Sequence, residues 1–157
     1  APAFYQQNLS ASTATALNNP WSLGWTFSMD SDAIGSAGGF VANYYETRND
    51  DNVGLWIDHS AFSYRLQFAV ASDGSDDLFV SDGTNTFQLT NDGSGFDTFH
   101  SGQILFDGIN TTLDFGGNSF SLTSSGPQGT DRLVFGPVSS GGQGSAIWNQ
   151  VTLQAVP

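Results

Sequence analysis

Apolar and polar positions alternate most clearly from Trp21 to Met29. Trp21, Leu23, Trp25, Phe27 and Met29 are interleaved there with Ser22, Gly24, Thr26 and Ser28. Successive side chains of a strand point to opposite faces, so this pattern predicts a strand with one buried face. Shorter runs of the same kind predict strands at 39–47, 53–58, 64–71, 78–81, 86–90, 98–107, 111–115, 119–123 and 132–135. In the closing run Ile147, Asn149, Val151, Leu153 and Ala155 fall on one face, and Trp148, Gln150, Thr152 and Gln154 on the other. The Asp-Gly pairs 73–74, 82–83, 92–93 and 107–108 punctuate the middle of the chain. Asp-Gly favours tight hairpins because both residues tolerate positive φ. Turn signals about every ten residues, with no helical period anywhere, predict an all-β sandwich or jelly roll.

Composition agrees with this reading. The chain has 157 residues, enough for one domain with a two-layer core. It has no lysine, one glutamate (Glu46) and 19 glycines, so the residues that favour helices are scarce and those that favour turns abound. We expect a single domain over 1–157. Residues 1–20 would form either an edge strand with a loop or a detachable arm.

Arg132–Phe135, the Gly/Ser loop that follows and the strand around Trp148–Val151 read V-F-G, S-S-G-G-x-G and W-N-x-V. Together with FDTFHSGQILFD at 96–107, these segments resemble LamG-like jelly-roll domains of the concanavalin A-like fold, found in bacterial secreted and surface proteins. The resemblance covers about 21–156. It implies two antiparallel sheets, an extracellular location and a lectin or glycanase role. The final Val-Pro is similar to the start of a PEP-CTERM-type sorting signal. The Ala-Pro-Ala start resembles a terminus left by leader removal, although an arbitrary chain boundary looks the same.

Charge narrows the partners. The net charge of −12, with only Arg48, Arg65 and Arg132 as cations, argues against nucleic acid. No run of about twenty apolar residues is present to insert as a membrane-spanning helix. Absent cysteines exclude disulfides and thiolate zinc sites.

Catalysis of glycan cleavage would need two carboxyls about 5 Å apart, one with a raised pKa. Glu46 has no carboxylate partner on its own strand, and no two aspartates sit at i, i+2 within a predicted strand, so a glycan-degrading enzyme is the least favoured reading. His59 and His100 lack zinc-type spacing and read as solvent-facing or turn-capping groups. Ca²⁺ takes six to eight oxygen ligands, and many relatives of this fold hold a structural calcium. The candidate ligands are Asp30 and Asp32, Asn49 with Asp50 and Asp51, and Asp73 with Asp76 and Asp77.

Strand parity supplies the binding candidate. If Val53, Leu55 and Ile57 face the core, Trp56 and Asp58 face away from it. If Leu66, Phe68 and Val70 face the core, Arg65 and Gln67 face out. Asn43 and Tyr45 join them if Phe40, Ala42 and Tyr44 point inward. Aromatic rings beside polar groups on one sheet face can stack on sugar rings and bond their hydroxyls. The expected function is therefore a non-catalytic extracellular module that binds a polysaccharide or surface glycan. The alternative is a self-assembling surface or filament subunit that lends its N-terminal arm to a neighbour's sheet.

Overall fold

A computed structural model describes residues 5–29, 40–41, 44–45, 53–71, 74–137 and 146–156. The strand-rich reading holds. The first sheet has six strands in the order β1 (Tyr5–Asn8), β12 (Arg132–Pro137), β5 (Val53–Asp58), β6 (Ser63–Val70), β7 (Leu78–Ser81) and β8 (Thr86–Gln88). The second has five, in the order β11 (Asn118–Ser121), β10 (Thr111–Phe115), β9 (His100–Phe106), β2 (Trp21–Met29) and β13 (Ala146–Ala155). All neighbouring strands in both sheets run antiparallel. No helix among the described residues is long and apolar enough to cross a membrane.

The core lies between the sheets. Trp21, Leu23, Trp25, Phe27 and Met29 are all buried, as the alternation requires, and meet Leu55, Ile57, Leu66, Phe68 and Val70. Trp25 fits only because Gly102 sits opposite it in the β2–β9 register. A Cβ at Gly102 would fall 2.5 Å from the Trp25 ring.

Two of the four Asp-Gly pairs make the expected hairpins. Asp82 and Asp107 each accept the N–H groups two and three residues on through Oδ1, while Gly83 and Gly108 take φ of +92° and +104°. Asp92-Gly93 instead lies on the passage from β8 in one sheet to β9 in the other, where the Gly93 N–H donates to the buried Asp77 carboxylate. Asp73 lies outside the described residues.

Three expectations need correction. The predicted strand at 39–47 is two short strands, β3 (Phe40–Val41) and β4 (Tyr44–Tyr45), folded back as a hairpin with Val41 opposite Tyr44. Single-strand parity therefore does not run from Phe40 to Tyr45. In β13 the register shifts between Trp148 and Gln150, so the alternation breaks at a bulge. Trp148 turns to the core, its ring centroid 5.0 Å from those of both Phe27 and Phe135, and Ile147 is exposed. Finally, a short helix, α1 (Ala11–Ala16), follows β1. Ser10 caps it by accepting the Thr13 N–H, and Leu17 anchors its end in the core.

Residues 5–20 thus pack on their own domain. β1 pairs with β12, Leu9 N–H donates to Asp131 O, and His59 fastens α1. His59 is buried and caps its own turn, the second of its two expected roles. Its Nδ1 accepts the Ala61 N–H, so Nε2 carries the proton donated to Ala14 O at 2.8 Å. His100 bonds Ser94 O through Nε2.

Candidate functional site

The register of β12, β5 and β6 builds a polar patch on the face of the first sheet that turns away from the core. Leu133 and Phe135, Leu55 and Ile57, and Tyr64, Leu66 and Phe68 all pack inward. Their neighbours Arg132, Val134, Trp56, Asp58, Ser63, Arg65 and Gln67 must then point outward. Cross-strand pairing sets Trp56 opposite Arg65 and Val134, and Asp58 opposite Ser63 and Arg132. The parity argument for Trp56, Asp58, Arg65 and Gln67 therefore holds in space.

Their environments differ from one another. Asp58 faces away from the core yet is 0% exposed. Arg65 grips it from one side, with Nε donating to Oδ1 at 3.0 Å and Nη2 to Oδ2 at 2.9 Å. Arg132 grips it from the other, Nε donating to Oδ2 at 2.8 Å. Asp58 is thus an anchor for two guanidiniums and not a free acceptor for sugar hydroxyls, which corrects its expected role. Gln128 accepts from Arg65 Nη2 at 3.2 Å, and Gln6 on β1 accepts from Arg132 Nη1 at 3.0 Å. The two arginines keep 28% and 24% of their side chains exposed.

Trp56 lies beneath this pair. The Arg65 guanidinium carbon sits 4.2 Å from its ring centroid and that of Arg132 5.8 Å, within cation–π range. The indole is half-buried, and its buried Nε1 has no hydrogen-bond partner among the described residues. Its surface is therefore a composite of indole and guanidinium rather than an open aromatic shelf. Gln67 is exposed beside it, across from Gly54.

Asn43 lies outside the described residues, as does the Tyr45 side chain. Asp30, Asp32, Asn49, Asp50, Asp51 and Glu46 also lie outside the described residues. Among the described residues no three His, Asp or Glu side chains converge as metal ligands. Asp77 is buried and accepts from Gly93 N–H and Gln88 Nε2, whereas Asp76 is exposed.

The parity reading missed Arg132, Gln128 and Gln6. Arg132 carried a signal, since it alternates with Leu133 in an apolar strand and is one of only three cations. Gln128 and Gln6 carried none.

On the outward face of the second sheet, Asp114 is the most bonded acid. Burial raises its pKa, but hydrogen bonds from Ser119, Gln103 and Thr112 outweigh this and hold it below 3.8. A carboxyl with a lowered pKa binds its proton less readily folded than unfolded. Its stabilisation is therefore complete above about pH 4 and is lost as the pH falls through the lower folded value. Asp114→Asn should flatten the decline in melting temperature between about pH 4 and pH 2. An unchanged decline would remove Asp114 from the cause.

No family model matches the chain, and no curated protein matches it in sequence. Solved structures match its fold. CG-16, a homodimeric agglutinin from chicken liver, superposes with a TM-score of 0.50 at 11% identity, over 97% of this chain and 100% of the agglutinin. The CBM2 module of the evolved Dit of Lactobacillus casei BL23 phage J-1 gives 0.51 at 14% identity, over 96% of this chain and 67% of that one. The chain has an all-β jelly-roll sandwich fold of two antiparallel sheets, similar to the fold of these structures. At these identities the likeness concerns the fold, and function has to be argued from the patch itself.

Proposed function

We propose that this chain is a non-catalytic glycan-binding module of the LamG-like kind, working outside the cell at a bacterial surface. The observation that carries the reading is the composite patch, where a half-buried indole under two partly exposed guanidiniums adjoins the exposed Gln67 amide. An apolar ring edge ringed by donors suits a sugar, which offers C–H faces and hydroxyls together. An agglutinin and a CBM2 module among the fold neighbours are in keeping with it.

Two features speak for binding without cleavage. Asp58 has both carboxylate oxygens engaged by its two arginines and so is not free to reach a glycosidic oxygen, and Asp114 is held below the ordinary carboxyl range, the opposite of what a general acid needs. On a glycan array the chain should be retained on a restricted set of saccharides. Trp56→Ala should weaken that retention by about 2 kcal/mol, roughly thirtyfold, while the variant keeps a cooperative thermal transition. Retention unchanged in a folded Trp56→Ala variant would move the site elsewhere. The appearance of new reducing ends in the glycan would make the chain an enzyme.

Self-association is the second reading. Among the described residues β1 and β13 stand at the ends of their sheets, and β13 is ten residues long, so both present edges to which a further strand could add. The arm itself is already paired in its own sheet, which favours the binding reading over strand donation by residues 1–12.

A further inference from the structure

We infer that the patch selects acidic saccharides, with Arg65 and Arg132 receiving a sugar carboxylate of the uronic or sialic type. The inference rests on the glycan-binding reading and names the ligand class of that same site. Two guanidiniums share the single carboxylate of Asp58, so the cluster carries a net charge of about +1 within a chain of net charge −12. Each guanidinium has five N–H donors. Arg65 uses three of them, on both Asp58 oxygens and Gln128, and Arg132 uses two, on Asp58 and Gln6. Among the described residues nothing accepts from Arg65 Nη1 or Arg132 Nη2, on side chains that are about a quarter exposed.

Asp58 holds both forks at 2.8–3.0 Å, so their geometry is set before a ligand arrives. A planar carboxylate is the natural counterpart of a guanidinium fork. A second carboxylate would bring the cluster to two charges of each sign. The rest of the surface is strongly acidic and repels long polyanions beyond the patch, which favours a single acidic sugar over a densely sulfated chain.

The test uses the whole chain and matched probes: sialyllactose against lactose, and oligogalacturonate against its methyl ester, with dextran sulfate as the polyanion. At least one acid should bind about tenfold more tightly than its neutral partner. That preference should fade as NaCl rises from about 50 to 500 mM, and dextran sulfate should bind weakly. Arg132→Gln keeps the Asp58–Arg65 pair and should erase the preference. The salt titration of the unaltered chain decides the matter if that variant does not fold. Equal binding of acid and neutral partners, an acid preference untouched in a folded Arg132→Gln variant, or tightest binding to dextran sulfate would each overturn the inference while leaving glycan binding in place. Retention of no saccharide of any kind would end both.

Discussion

Exchanging Asp58 for alanine should destabilise the domain by about 3 kcal/mol, the lower end of what breaking a buried ion pair costs. The carboxylate is fully buried and accepts three charge-assisted hydrogen bonds from two arginines. Removing it leaves two positive charges facing each other over Trp56 with no anion between them. Both guanidiniums are about a quarter exposed and can swing toward water, which keeps the loss from reaching the upper end of the range. For a domain of this size the melting temperature should fall by roughly 6–12 °C. The damage should also reach β1, because Arg132 carries the bond to Gln6 on that strand. Asp58→Asn preserves an acceptor and should lose less. A melting temperature within a degree of the parent would show that the arginines do not depend on Asp58.

This cluster also marks where sequence reading stopped. The period of two placed Trp56, Asp58, Arg65 and Gln67 on one face because β5 and β6 are short and consecutive, and each is regular through its length. Arg132 joins them from 74 positions beyond Asp58, through the β12–β5 pairing; its alternation with Leu133 tells that it points outward, but local pattern does not tell which strand it meets. Parity told which way Asp58 points but not that two guanidiniums would close over it. The hairpins at Asp82-Gly83 and Asp107-Gly108 were legible because their chemistry is contained in four residues. Asp92-Gly93 uses the same dipeptide in a crossing between sheets, so the dipeptide marks a turn without saying which strands it joins. The bulge after Trp148 inverts the reading of half a strand, since one extra residue exchanges the two faces. Helix α1 has no amphipathic period to reveal it. Six residues are too few to stand alone, and it is held by the Ser10 cap, Leu17 and the bond from His59.

Trp25→Ala should have the largest effect on stability, a loss of about 3–5 kcal/mol with no direct effect on the patch. Trp25 is 1% exposed at the centre of the sandwich. Its ring centroid lies 4.9 Å from that of Phe68 across the core, 5.1 Å from Phe27 and 6.0 Å from Phe115. Truncation would open a cavity that touches both sheets, and aromatic neighbours have little freedom to collapse into it. Natural domains hold about 5–15 kcal/mol in all, so urea denaturation should show the midpoint falling by a large fraction. Gly102 supplies the control. Gly102→Ala alone would push a methyl group to 2.5 Å from the indole and 2.9 Å from Asp114 O, and should itself destabilise. In the Trp25→Ala background the first clash disappears and only the backbone contact remains. The double variant should therefore be more stable than the sum of the two single losses implies, by about 1 kcal/mol or more. Strict additivity would mean that the indole and Gly102 do not share that space.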